Sequence, residues 1–88
     1  MNNTVTQEQI DKLLNEADVD IKTIFGKVTV VTVRLTNGFT VVKSSACVDP
    51  TNYSEEMGAQ ICLGKIKDDL WQLEGYLLQN KLHNEGVL

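Results

Sequence analysis

The residues with the most chemical reach fall into three groups. The first is Arg34, Lys43, Thr32 and Phe39, which share one face of a strand pair if the chain reverses at Asn37-Gly38. Two cations beside a ring suit an anion and a stacked base; the competing account is two solvated cations over a partly covered sheet. The second is Asp49-Pro50-Thr51-Asn52-Tyr53. Here Asn52 offers an amide and Tyr53 a ring to a purine, or the segment simply turns and caps the next helix. The third is a polar strip at helical spacing, Lys65, Asp69, Gln72 and Tyr76. It is either a solvated helix face or a groove at a subunit junction.

Catalysis is not expected. Histidine is represented by His83 alone, near the C-terminus. There is no nucleophile elbow, Walker loop, zincin helix or dinucleotide fingerprint. Asp68 and Asp69 are adjacent, so they point about 100° apart on a helix and make no carboxylate pair. Cys47 and Cys62 sit in apolar contexts without C-x-x-C spacing and read as reduced, inert thiols. No metal site and no cofactor is expected.

The net charge of −4 and pI near 4.7 argue against DNA or an anionic membrane as partner, since both need clustered Lys and Arg. No stretch approaches the ~18 apolar residues of a membrane span. The polar Met1–Gln9 carries no secretory pattern, which points to the cytosol.

The elements that must position these groups follow from pattern. Thr6 and Gln9 form a capping box, and Ile10, Leu13, Leu14 and Ala17 follow at helical spacing, so a short helix is expected to end near Asp18. Val19–Phe25 alternates as a short strand, and Gly26 allows a turn. Lys27–Thr36 is a β-branched run, and Asn37-Gly38 suits a type I′ turn into a third strand over Phe39–Ser45. A two-residue turn would set Arg34 opposite Val41 and Thr32 opposite Lys43. One face then carries Val28, Val30, Thr32, Arg34, Phe39, Val41 and Lys43. The other, carrying Val31, Val33, Leu35, Thr40, Val42 and Ser44, is the expected core.

After Asp49-Pro50, Asn52 or Ser54 can cap a helix over about Glu55–Lys81, ~40 Å long. Its apolar residues form two stripes. Ala59, Cys62, Leu63, Ile66, Leu70, Leu73 and Leu77 should meet the sheet. Met57, Ile61, Gly64, Trp71, Gly75, Leu78 and Leu82 need another helix or a second chain. Helix-interior glycine costs about 1 kcal/mol, and close backbone approach at Gly64 and Gly75 would offset it. The fold expected is therefore α+β: a short N-terminal helix, a three-stranded antiparallel β-meander and a long C-terminal helix. It forms one domain over 1–88, oligomeric, with flexible tails at 1–5 and 83–88.

The stretch Ala46-Cys47-Val48-Asp49-Pro50, then Asn52-Tyr53, Glu56, Gly58, Trp71 and Leu73-Glu74-Gly75-Tyr76, resembles a family of small phage and prophage proteins. The Asn37-Gly38-Phe39 hairpin fits as well, and the resemblance covers about residues 19 to 80. The family includes the Thoeris anti-defence proteins of the first type. The resemblance implies a sponge in the host bacterial cytoplasm that captures a cyclic ADP-ribose isomer, glycocyclic ADP-ribose, without cleaving it. It also implies a dimer or hexamer with ligand between protomers, and in some members extra sites for cyclic oligonucleotides.

Asn52 and Tyr53 lie in the shared motif and are the first ligand candidates. Arginines that such proteins carry on the long helix are missing here, where only Lys65, Lys67 and Lys81 stand. Phosphate contact is therefore expected of Arg34 and Lys43, with Phe39, Lys65 and Asp69 completing the candidate ligand set. Gly64, Trp71, Gly75 and Leu78 are the candidate oligomer contacts. The alternatives are a phage inhibitor that docks on a host protein through its acidic surface, and a hydrolase acting on the same signal.

Overall fold

A computed structural model describes residues 3–88, so the loose tail expected over 1–5 lies partly outside the described residues. The chain runs α1 (Gln7–Asn15), β1 (Asp18–Ile24), β2 (Val28–Arg34), β3 (Thr40–Ala46), a 3₁₀ turn (Pro50–Asn52) and α2 (Glu55–Asn84). This is the expected α+β order.

Thr6 and Gln9 cap α1 reciprocally: the Thr6 hydroxyl accepts from the Gln9 N–H at 3.2 Å, and the Gln9 amide oxygen accepts from the Thr6 N–H at 2.8 Å. The helix stops at Asn15, short of Asp18. Asp18 instead opens β1 opposite Arg34 and pairs with its guanidinium at 2.7 Å.

The strands form one antiparallel sheet in the order β1-β2-β3. Its two hairpins differ from expectation in an instructive way. Positive φ at two successive residues, the type I′ signature, occurs at Phe25 (56°) and Gly26 (68°). At the second hairpin only Gly38 is left-handed, at 90°. There the Leu35 N–H donates to Phe39 O at 2.8 Å, the Gly38 N–H donates to Leu35 O at 2.9 Å, and the Asn37 side-chain oxygen accepts from the Phe39 N–H at 3.0 Å. This is a three-residue loop closed by a glycine bulge, which spares Asn37 a left-handed backbone.

The extra loop residue moves the register by one. Arg34 faces Thr40, Thr32 faces Val42, and Val31 faces Lys43. A slip of one exchanges the faces of the whole strand. Val41 is buried with Val31, Val33 and Leu35, while Thr40, Val42 and Ser44 point outward. The β2 half of the expected core holds; the β3 half is reversed.

Ser54 caps α2 by accepting from the Met57 N–H at 3.3 Å, and Glu55 and Glu56 complement the positive end of the helix dipole. Ala59, Cys62, Ile66 and Leu70 bury against β2 and β3, joined by Ile10 from α1. Leu73 and Leu77, expected on the same stripe, are exposed: Leu73 reaches only the hairpin end of β3, and Leu77 lies one turn further out. The helix continues beyond Lys81 to Asn84. Gly86 then turns the chain at φ 75°, and the Val87 N–H donates to Leu82 O at 2.9 Å, so residues 85–88 fold back along a buried Leu82. The protruding half of α2 gives the chain a radius of gyration of 16.0 Å, where about 12 Å suits a compact fold of this length.

Candidate functional site

The register shift separates the two cations expected to share an anion. Arg34 points to the open face of the sheet, where Asp18 holds it at 2.7 Å. Lys43 points to the helix side and pairs with Asp69 of α2 at 2.9 Å, both about one-third exposed. One ligand on one protomer cannot be met by both.

Phe39 stands at the hairpin end of β3, half exposed, and borders a groove of about 410 Å³ with Thr40, Val41, Asp69, Gln72 and Leu73. The groove combines a ring, an amide and a carboxylate already neutralised by Lys43. Lys65, one turn before Asp69, donates to the Ser44 carbonyl at 3.2 Å. Of the polar strip, Asp69 and Gln72 enter this groove, whereas Tyr76 lies beyond the sheet and is exposed.

Asn52 and Tyr53 come together at the other end of β3, lining a small cleft of about 120 Å³ with Cys47, Met57 and Gly58. Phe39 and Cys47 flank the whole of β3, so the two sites lie roughly 25 Å apart at 3.3 Å per residue. The Tyr53 hydroxyl is already committed. It lies 2.7 Å from both Thr23 and Thr29, and Thr23 in turn donates to Glu55. A carboxylate only accepts, so the donors run in one direction, Thr29 to Tyr53 to Thr23 to Glu55. Tyr53 can therefore offer a ligand its ring but not its phenol hydrogen.

This chain of hydroxyls was not anticipated from the sequence, and a nearby glycine was the available signal for it. Thr29 is fully buried directly under Gly58, where an added Cβ would stand 2.0 Å from the Thr29 hydroxyl. The close approach within the chain is thus made at Gly58, by the Thr29 side chain. At Gly64 and Gly75 an added Cβ meets nothing within 4 Å. Trp71 is half-buried and packs on the chain's own core, while Leu78 is half-buried past the sheet.

A third cavity, about 700 Å³, opens between α1, α2 and the start of β1. Leu14, Val19, Leu63 and Gly64 line it, with Lys67 and Asp11 paired at 3.4 Å on its wall. Among the described residues no group of three or more His, Cys, Asp or Glu could hold a metal ion, and no helix is long and apolar enough to cross a membrane. Both cysteines are free: the buried Cys62 thiol donates to Thr29 O, and the Cys47 thiol to Asn52 O. Asp49 accepts from the backbone N–H and then the hydroxyl of Thr51, which lowers its pKa below the usual carboxylate value.

Compared with known proteins, residues 5–82 match the model of a phage protein family described as N4 Gp49/phage Sf6 gene 66. No curated protein and no solved structure matches.

Proposed function

The chain belongs to the N4 Gp49/phage Sf6 gene 66 family of phage proteins, and from that premise we propose that it is an anti-defence binder in the host cytoplasm. It captures a cyclic ADP-ribose-type immune nucleotide, glycocyclic ADP-ribose, and withholds it uncleaved. The observation that carries this reading is the Phe39 groove. Its ring suits a base face. Gln72 suits a base edge or a ribose hydroxyl, and Lys43, which reaches the groove through its pair with Asp69, suits a phosphate.

The groove borders Leu73, where α2 leaves the sheet and presents exposed Leu73, Tyr76 and Leu77. A second protomer on that helix, through Trp71, Gly75 and Leu78, would close it, in a dimer or hexamer. Arg34, and the Asn52–Tyr53 cleft, could serve the same nucleotide only from another protomer; alternatively the cleft takes a cyclic oligonucleotide. Sequestration needs slow release rather than turnover.

Calorimetric titration of wild type and Phe39→Ala with glycocyclic ADP-ribose tests the reading. A stacked base contributes about 1–3 kcal/mol, so the substitution should weaken binding about 5- to 150-fold. Equal affinity of the two proteins would remove the Phe39 groove as the site. An absence of binding to wild type would remove the ligand.

A further inference from the structure

A three-stranded sheet has two edges, and this one treats them differently. The Leu35–Phe39 hydrogen bonds show that the odd-numbered residues of β3 bond inward to β2. The even-numbered ones, including Ser44, therefore point their backbone groups to the free edge. There the Lys65 ammonium occupies the Ser44 carbonyl at 3.2 Å. By the same alternation β2 bonds to β1 through the residues opposite Asp18, Asp20, Lys22 and Ile24. The N–H and C=O groups of Val19, Ile21 and Thr23 are left along the other edge. All of β1 is exposed, and among the described residues no strand pairs with that edge.

We propose that β1 pairs antiparallel with β1 of a second copy about a two-fold axis at Ile21, making one continuous six-stranded sheet. The sequence of the strand is self-complementary about that residue. Ile21 meets Ile21, Val19 meets Thr23, and Asp20 meets Lys22 on both sides of the axis. The outward-facing groups of Val19, Ile21 and Thr23 then fall in hydrogen-bonded pairs. Asp20 and Lys22 fall in the intervening pair, where side chains approach most closely. In the single chain these two make only an exposed contact at 3.7 Å along the strand. Edges protected against self-association commonly carry like charges, often lysine, that repel a copy. Opposite charges two residues apart about a central isoleucine attract one instead.

The same register sets Phe25 of the second copy alongside Ala17. It therefore arrives beside the 700 Å³ cavity that Leu14 and Val19 line. Phe25 is 88% exposed in a single chain and held in a left-handed backbone that bulky residues avoid. In the paired sheet that ring gains an apolar neighbour.

The pairing does not depend on the nucleotide reading, and its test uses no ligand. Sedimentation equilibrium of the full chain over a micromolar to hundred-micromolar range reads the mass directly. Ile21→Pro removes an N–H that points away from β2, so the strand keeps its own ladder while the shared edge loses its centre. Asp20→Lys sets lysines opposite each other on both sides of the axis, and Asp20→Lys with Lys22→Asp restores the attraction. The wild type should exceed its 9.8 kDa chain mass. Ile21→Pro should halve the associated mass, Asp20→Lys should weaken association about tenfold, and the double variant should recover wild-type association. Circular dichroism checks that each variant is folded. Wild type at chain mass throughout, undiminished association of folded Asp20→Lys, or failure of the double variant to recover would each overturn the proposal.

Discussion

Replacing Gly58 with alanine should destabilise this protein, although alanine is the better helix former. The ordinary expectation for Gly→Ala inside a helix is a gain of about 1 kcal/mol. Here the new Cβ would lie 2.0 Å from the Thr29 hydroxyl, 2.8 Å from its Cβ and 3.4 Å from its methyl. Thr29 cannot swing aside: it is β-branched, fully buried in the central strand, and its hydroxyl is held 2.7 Å from Tyr53. Forcing a methyl into such a site costs about 3 kcal/mol, so the net loss should be about 2 kcal/mol. For a domain of this size that lowers the melting temperature by roughly 8–16 °C. Thermal and urea unfolding followed by circular dichroism read it directly. Thr29→Ala should cost less in the Gly58→Ala background than alone, because it removes the hydroxyl and methyl that the new Cβ meets. A Gly58→Ala protein at or above wild-type stability, or strict additivity of the pair, would refute the close approach of α2 to β2 at this point.

Three further outcomes follow from single contacts. Ile66 is fully buried between α2 and the sheet, so Ile66→Ala should cost about 2–5 kcal/mol in urea unfolding. Asp49 titrates below its ordinary value when folded, so its contribution is present at neutral pH and lost as pH falls through the carboxylate range. Asp49→Asn should flatten the acid limb of the stability profile, and an unchanged limb would contradict the Thr51 contacts. Glu55→Gln leaves the hydroxyl chain an acceptor but removes its charge, so folding should survive with a modest loss of stability, whereas Tyr53→Phe, which leaves Thr23 and Thr29 without their shared partner, should cost about 1–3 kcal/mol.

What the sequence made legible was local. The Thr6–Gln9 capping box, the β-branched Lys27–Thr36 run and the Ala59, Cys62, Ile66, Leu70 stripe each state one element's period or boundary, and each stands in the structure. The third strand's register was not legible, because Asn37-Gly38 is compatible with either a two-residue or a three-residue loop. The choice rests on whether Asn37 itself turns left-handed or uses its side chain on the Phe39 N–H. That one residue decided whether Lys43 stood beside Arg34 or behind it, and so divided the expected anion site. Gly58 was hidden for a related reason. Three glycines lie on the long helix, and only the sheet beneath shows which one has a side chain, that of Thr29, packed against it. The helix stripe read as needing a partner, Met57, Ile61, Gly64, Trp71, Gly75, Leu78 and Leu82, is mixed within a single chain: Met57 and Ile61 are exposed, while Trp71 packs on the core and Leu82 is buried.

Under the proposed function, this protein would hold a cyclic ADP-ribose-type nucleotide without consuming it. The direct measurement is to mix the protein with a sub-stoichiometric amount of glycocyclic ADP-ribose, pass the mixture through a filter that retains protein, then heat the retained fraction and weigh the released compound by mass spectrometry. The account predicts a filtrate depleted of the nucleotide and full recovery of the intact compound on heating. A nucleotide that passes freely through the filter, or one recovered as a cleaved product, would contradict it.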